Sequence, residues 1–214
     1  MTTKQDFNDN SLIIIYEDPD TSEGEKELNK TLKKLEKELN RIDLKFTAIS
    51  EFIKSKERPT QNDMVYLLAL FKTPYVTKTL DIIKETKALL LGKLPLEYVS
   101  YKISGIVSRN GCKEVILLYR KSSGTYREEQ DDVWRLASLI ENYSGIPVTP
   151  SESPELGGDC IVVATLSKSR LTSHAKDLAQ IYGKRIVVES ILSVVGDDVP
   201  DLITRALRAH RILF

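Results

Sequence analysis

The chain holds few residues of the kinds that bind metals or attack substrates, and their positions limit the chemistry open to it. There are two histidines, His174 and His210, and two cysteines, Cys112 and Cys160. His174 falls at the start of a helical pattern that follows an apolar strand, where an imidazole can hold a metal or move a proton. It reads equally as an ordinary exposed histidine, because no second histidine or cysteine lies near it to complete a ligand set. His210, near the end of the sequence, reads as a surface residue. The cysteines lie far apart and match no metal-ligand spacing, so they are expected to be reduced, buried thiols, which suggests a cytoplasmic location. Glu51, Glu152 and Glu189, each near the end of an expected strand, are candidate carboxylate ligands or solvated charges.

Two turns differ sharply in charge. One carries Glu17, Asp18 and Asp20; the other carries Arg120, Lys121, Ser122 and Ser123. Facing each other, they would give a cleft with an acidic and a basic wall, suited to a ligand bearing both signs, or they would be two solvated turns that attract one another. Lys72 and Lys168 occupy like positions after two apolar strands. Ser167, Ser169 and Arg170, just before a helix, form a candidate anion cradle. The sequence has no GxxxxGK[ST] or GxGxxG, so this is no nucleotide loop, and it has no GxSxG nucleophile elbow.

These residues need elements to position them. The runs Leu12 to Tyr16, Met64 to Phe71, 114–119 and 160–166 are almost wholly apolar, as expected of parallel strands covered on both faces. ALLLGKL, RIVVESIL, Leu44 to Ile49 and IPVT read as further strands. Helices are expected at Glu23 to Leu39, where Leu28, Leu32, Leu35 and Leu39 form one stripe behind Thr21 or Ser22 as N-cap. Others are expected at 75–87, Leu96 to Arg109, 126–143, 171–182 and 197–211, with Asn110-Gly111 and Gly183 as stops. Trp134 and most of the tyrosines read as packing residues. IKSKERPTQND reads as a polar loop.

The order strand, helix, strand, strand, helix, strand, helix occurs twice. Ile13 and Tyr16 fall on Ile116 and Tyr119 at an offset of 103, and Asp63, Leu70, Lys72 and Asp81 fall on Asp159, Leu166, Lys168 and Asp177 at 96. An offset that holds within elements and changes in loops is the expected trace of duplication. The expectation is an α/β protein of two similar halves, each a mostly parallel sheet flanked by helices, with a disordered segment 1–10, one half at 11–110 and the other at 111–214. The carboxyl ends of the strands would line a shared cleft.

Composition narrows the partners. With 31 basic and 31 acidic residues the formal net charge is zero, which argues against a general nucleic-acid or anionic-membrane binder. No apolar run approaches the roughly 18 residues of a membrane span. The sequence is expected to be soluble and not exported.

The second half, from EVILLYRKSSGTYREEQDDVWRLASLI through CIVVATLSKSRLTSHAKDLAQIYG to RIVVESILSVVGDDVPDLITRAL, resembles the class II chelatases, which insert cobalt or iron into sirohydrochlorin. The first half follows the same outline through SLIIIYEDPDTSEGEKELNKTL, DMVYLLALFKTPYVTKTLDII and ALLLGKLPLEYVSYKISGIVSR. The resemblance implies a chelatase-like fold and His174 as metal ligand and catalytic group, with Glu17 or Glu189 assisting. It also implies cobalt or iron as a divalent metal substrate, and a tetrapyrrole whose carboxylates meet Arg120, Lys121, Lys72 and Lys168. The family's His-Gly-Ser turn is absent: Glu17 and Arg120 stand where its histidine would be. Thr77 or Lys78 stands at the second histidine position of the first half, and Ser173, one place before His174, at that of the second. The alternative is a non-catalytic relative that binds a small anionic ligand or a protein partner, with self-association left open.

Overall fold

A computed structural model of the chain describes residues 11–120, 127–153 and 157–212. The segment expected to be disordered, 1–10, and Lys121, Ser122 and Ser123 lie outside the described residues. The first sheet is built from β1 (Ser11–Tyr16), β2 (Asp43–Ala48), β3 (Met64–Leu68) and β4 (Leu89–Lys93), with α1 (Ser22–Glu38), α2 (Ile49–Lys54), α3 (Pro74–Thr86) and α4 (Leu96–Arg109) between and after them. The second sheet has β5 (Val115–Leu118), β6 (Val148–Ser151), β7 (Cys160–Val163) and β8 (Arg185–Val188), with α5 (Arg127–Ser144), α6 (Arg170–Tyr182), α7 (Leu192–Val195), a single 3-10 turn and α8 (Val199–Ala209).

The strand orders are β2-β1-β3-β4 and β6-β5-β7-β8, parallel throughout. The apolar runs form the central strands: every residue of β3, β5 and β7 is buried, because helices cover both faces. The agreement between the sheets reaches irregular detail. A register shift falls between Val65 and Tyr66 in one and between Ile161 and Val162 in the other, again at an offset of 96.

Helix ends follow their local chemistry. Thr21 caps α1 through its hydroxyl, which accepts from the Gly24 N–H, and Thr73 caps α3. Gly183 ends α6 with φ of 63°, a left-handed conformation that favours glycine. Buried positions also correspond between helices. Gly24, Leu28, Thr31, Leu32 and Leu35 of α1 match Glu129, Val133, Leu136, Ala137 and Ile140 of α5, at the offset that separates the helix starts Ser22 and Arg127. Leu96, Val99, Ile103 and Val107 of α4 match Leu192, Val195, Val199 and Ile203 of α7 and α8 at the offset of 96.

The closing helices change sides. α4 packs on α5, β8 and α7 beside the second sheet, while α8 packs on α1 and β4 beside the first. One contiguous apolar core therefore runs through both sheets, from Leu12 and Tyr66 to Val162 and Leu207. Val99, Ile103 and Val107 are fully buried, and each such side chain stabilises the fold by about 2 kcal/mol. Two smaller clusters lie on the outer faces, under α2 and α3 and under α6.

Four expectations need correction. Cys112 and Cys160 are not free thiols: they form a disulfide. β5 begins just after Cys112 and pairs in parallel with β7, which begins at Cys160, so the pairing brings the two side by side despite a sequence separation of 48. The disulfide removes the ground for expecting a cytoplasmic protein. Trp134 is 59% exposed rather than packed, since the buried stripe Val133, Leu136, Ala137, Ile140 places residue 134 off the core side. The stretch expected as the end of a strand and a polar loop opens with α2, where Ile49 and Phe52 turn inward and Asp18 accepts from the Ser50 N–H. The last helix is preceded by α7 and a 3-10 turn, because Leu192 and Val195 already need cover. Among the described residues no helix is long and apolar enough to cross a membrane.

Candidate functional site

The carboxyl ends of both sheets meet across the middle of the molecule, and most of the expected site residues stand there. The contact is made by carboxylates of each half reaching backbone N–H groups of the other. Glu27 of α1 accepts from the Lys168 N–H at 2.8 Å and from the Ser190 hydroxyl at 2.8 and 2.9 Å. At the matching place Asp132 of α5 accepts from the Lys72 N–H at 2.8 Å. Asp20 accepts from the Arg170 N–H at 3.2 Å, and the Thr21 hydroxyl donates to the Lys168 carbonyl. The anion cradle read in Ser167 to Arg170 is thus engaged by carboxylates from the opposite half. The approach is so close that a Cβ on Gly24 would lie 2.1 Å from the Lys168 carbonyl oxygen, which explains glycine at that position.

The two oppositely charged turns attract one another: Arg120, largely in solvent, lies 3.9 Å from Asp20. Asp18 is engaged by Ser50.

Glu17 differs from the other acids. At the end of β1 it is half-buried, and its carboxylate accepts from the Leu70 N–H at 3.2 Å. Burial pushes its carboxyl up to about 7; the Leu70 N–H and nearby Lys93 oppose the shift, and Glu129 and Asp18 add to it. At neutral pH it can give or take a proton. Sequence reasoning singled out Glu17 by position, but its partner Glu129, buried on α5, was missed. It occupies the place of Gly24, and only the helix-to-helix correspondence reveals it.

The two flanks of this contact differ. On one side Lys72 pairs with Glu128 at 2.6 Å, Lys93 with Asp132 at 2.9 Å, and Arg135 with Glu97. Three cross-half ion pairs occupy that side. On the other side an open groove of about 590 Å³ lies between α1 and α7, with Lys26, Lys30, Lys168, Lys176 and Glu189 among its walls. Here Glu189 holds Lys168 at 2.6 Å and Lys176 at 2.9 Å. Those two ammonium groups, Lys168 first, keep the Glu189 carboxyl below its usual range, and Glu189 in turn raises Lys168.

The expected residues therefore divide. Lys168 and Glu189 come together in the groove, Glu17 and Lys72 stand on the ion-paired side, and Arg120 bridges to Asp20. His174 stands exposed on α6 with no hydrogen bond or ion pair to a described residue, and His210 is exposed beyond α8. Glu51 and Glu152 lie by Tyr16 and Tyr119, whose hydroxyls burial, then these carboxylates, push up. Among the described residues no group of three or more His, Cys, Asp or Glu is placed to hold a metal ion.

No protein-family model and no curated protein sequence matches the chain. Solved structures do. The sirohydrochlorin chelatase SirB from Bacillus subtilis subspecies spizizenii, solved with cobalt, is similar at a TM-score of 0.63 and 12% identity, over 93% of this chain and 95% of that one. CbiX, the terminal enzyme for biosynthesis of siroheme in denitrifying bacteria, is similar at a TM-score of 0.60 and 12% identity, over 93% and 98%. A putative LacI-family transcriptional regulator from Sanguibacter keddieii follows at a TM-score of 0.51 and 10% identity, over 94% and 89%. The chain has the two-half, class II chelatase-like α/β fold.

Proposed function

We propose that the protein binds a small anionic ligand of the carboxylated tetrapyrrole class between its two halves, as a chelatase-fold protein that does not insert metal. The observation that carries this reading is the groove of about 590 Å³, whose walls carry four lysines beside Glu23, Glu27, Glu189 and Asp197 and keep Lys26 and Lys30 without an ion pair to a described residue, a volume within the usual range for small-molecule sites. Its likeness in fold to SirB and CbiX supports the choice of ligand class. The donor inventory argues against insertion: both cysteines are tied in a disulfide and His174 stands alone.

One observation favours a second reading, metal insertion with cobalt or ferrous iron as substrate. Glu17, poised at about 7, suits a base that takes pyrrole protons, although Glu189, expected with His174 to deliver the ion, is held by Lys168 and Lys176 on the other flank. A single experiment separates the readings: titrate sirohydrochlorin into the purified protein by absorbance, then add cobalt or ferrous iron. Saturable binding with an insertion rate equal to the protein-free control supports the first reading. A rate above that control that falls in Glu17→Gln establishes the second. No binding removes both.

A further inference from the structure

The correspondence between the two flanks points to where an anionic group would sit. The helix offset places Lys30 at the position of Arg135, and the offset of 96 places Ser193 at the position of Glu97. On the closed side Arg135 and Glu97 neutralise each other. On the open side the cation is kept and its acid is replaced by a short hydroxyl. Lys26 adds a second cation where the closed side has Asp131. Neither Lys26 nor Lys30 makes an ion pair or hydrogen bond with a described residue, although both line the groove. Three of the four acids lining the groove are engaged, Glu27 by the Lys168 N–H and Ser190, Glu189 by Lys168 and Lys176, and Asp197 by Lys34; Glu23, one turn before Lys26 on α1, makes no ion pair with a described residue.

We infer that the groove between α1 and α7 seats a carboxylate of a small ligand against Lys26 and Lys30, in the place that the Glu97 side chain fills on the opposite flank. The inference rests on the cleft being a ligand site, but not on the ligand being a tetrapyrrole. A carboxylate fits better than a bulkier phosphate because it substitutes for a glutamate head group. The hydroxyl of Ser193, which donates to the Ser190 carbonyl, leaves the space that the longer acid would take.

The test is isothermal titration of the intact protein with citrate and, separately, with pyrophosphate at low ionic strength. Citrate is expected to bind more tightly than pyrophosphate. The double variant Lys26→Gln/Lys30→Gln should weaken citrate at least tenfold. Ser193→Glu, which restores the acid of the closed flank, should weaken it similarly while leaving the melting temperature unchanged or higher. Should that variant not fold, the lysine pair decides alone. Binding lost in Arg120→Gln but kept in the lysine pair overturns the assignment, as does binding of pyrophosphate without citrate, or of neither. Citrate binding without sirohydrochlorin binding would instead sink the tetrapyrrole reading and leave this site standing.

Discussion

Replacing Glu17 by glutamine should stabilise the protein at alkaline pH and leave it unchanged in acid. In an unfolded chain this carboxyl titrates at its ordinary 4.5; in the fold burial lifts it to about 7. Below 4.5 both states are protonated and the residue has no pH-dependent effect on stability. Between 4.5 and 7 the folded state holds a proton that the unfolded state has released, so stability falls as pH rises, by about 1.4 kcal/mol per pH unit. Above 7 the loss is complete. The full interval corresponds to about 3 kcal/mol, trimmed to about 2 by the part of the side chain that reaches solvent. Glutamine keeps an oxygen to accept from the Leu70 N–H and carries no charge near Glu129. Urea unfolding of both proteins from pH 4 to 9 at constant ionic strength measures the difference. It should be near zero at pH 4 and reach about 2 kcal/mol in favour of the variant by pH 8.5. A difference independent of pH, or a variant less stable at pH 8.5, would refute the account of Glu17.

The disulfide closes a loop of 48 positions, so reduction, or the pair Cys112→Ser/Cys160→Ser, should lower unfolding free energy by up to about 4 kcal/mol; urea midpoints with and without reductant measure this. Tyr66 has a buried hydroxyl without a hydrogen-bond partner among the described residues, so Tyr66→Phe should be neutral or stabilise by about 1 kcal/mol in thermal melts. Gly24→Ala places a methyl against the Lys168 carbonyl and should cost about 1–3 kcal/mol of stability by the same melts.

The fold could be read from the sequence where burial leaves a period. Four central strands are uninterrupted apolar runs, and the stripe of Leu28, Leu32 and Leu35 defines α1. Leu96 to Arg109 is a helix with those bounds, because Leu96, Val99, Ile103 and Val107 repeat at helical spacing. α2 was hidden by its brevity, with only Ile49 and Phe52 turned inward. The Cys112–Cys160 pairing was hidden because contact across parallel strands bears no relation to sequence distance. Positions at strand ends were readable as places where charged residues gather, and Lys168 and Glu189 form an ion pair there. Their partners were not, since Glu27, Asp132 and Lys26 look like ordinary charges on solvated helix faces until the opposite half is brought against them.

The exchange of α4 and α8 between the sheets has a mechanical consequence. Each helix acts as a strut, so swinging the sheets apart like a clamshell would tear Val99 and Ile203 from the apolar layer they share. That shared layer opposes a change in the spacing of the sheets. A ligand seated in the groove would then be admitted by rotation of the lysine and glutamate side chains at its entrance, on the nanosecond scale of surface rotamers rather than the slower scale of hinge motion.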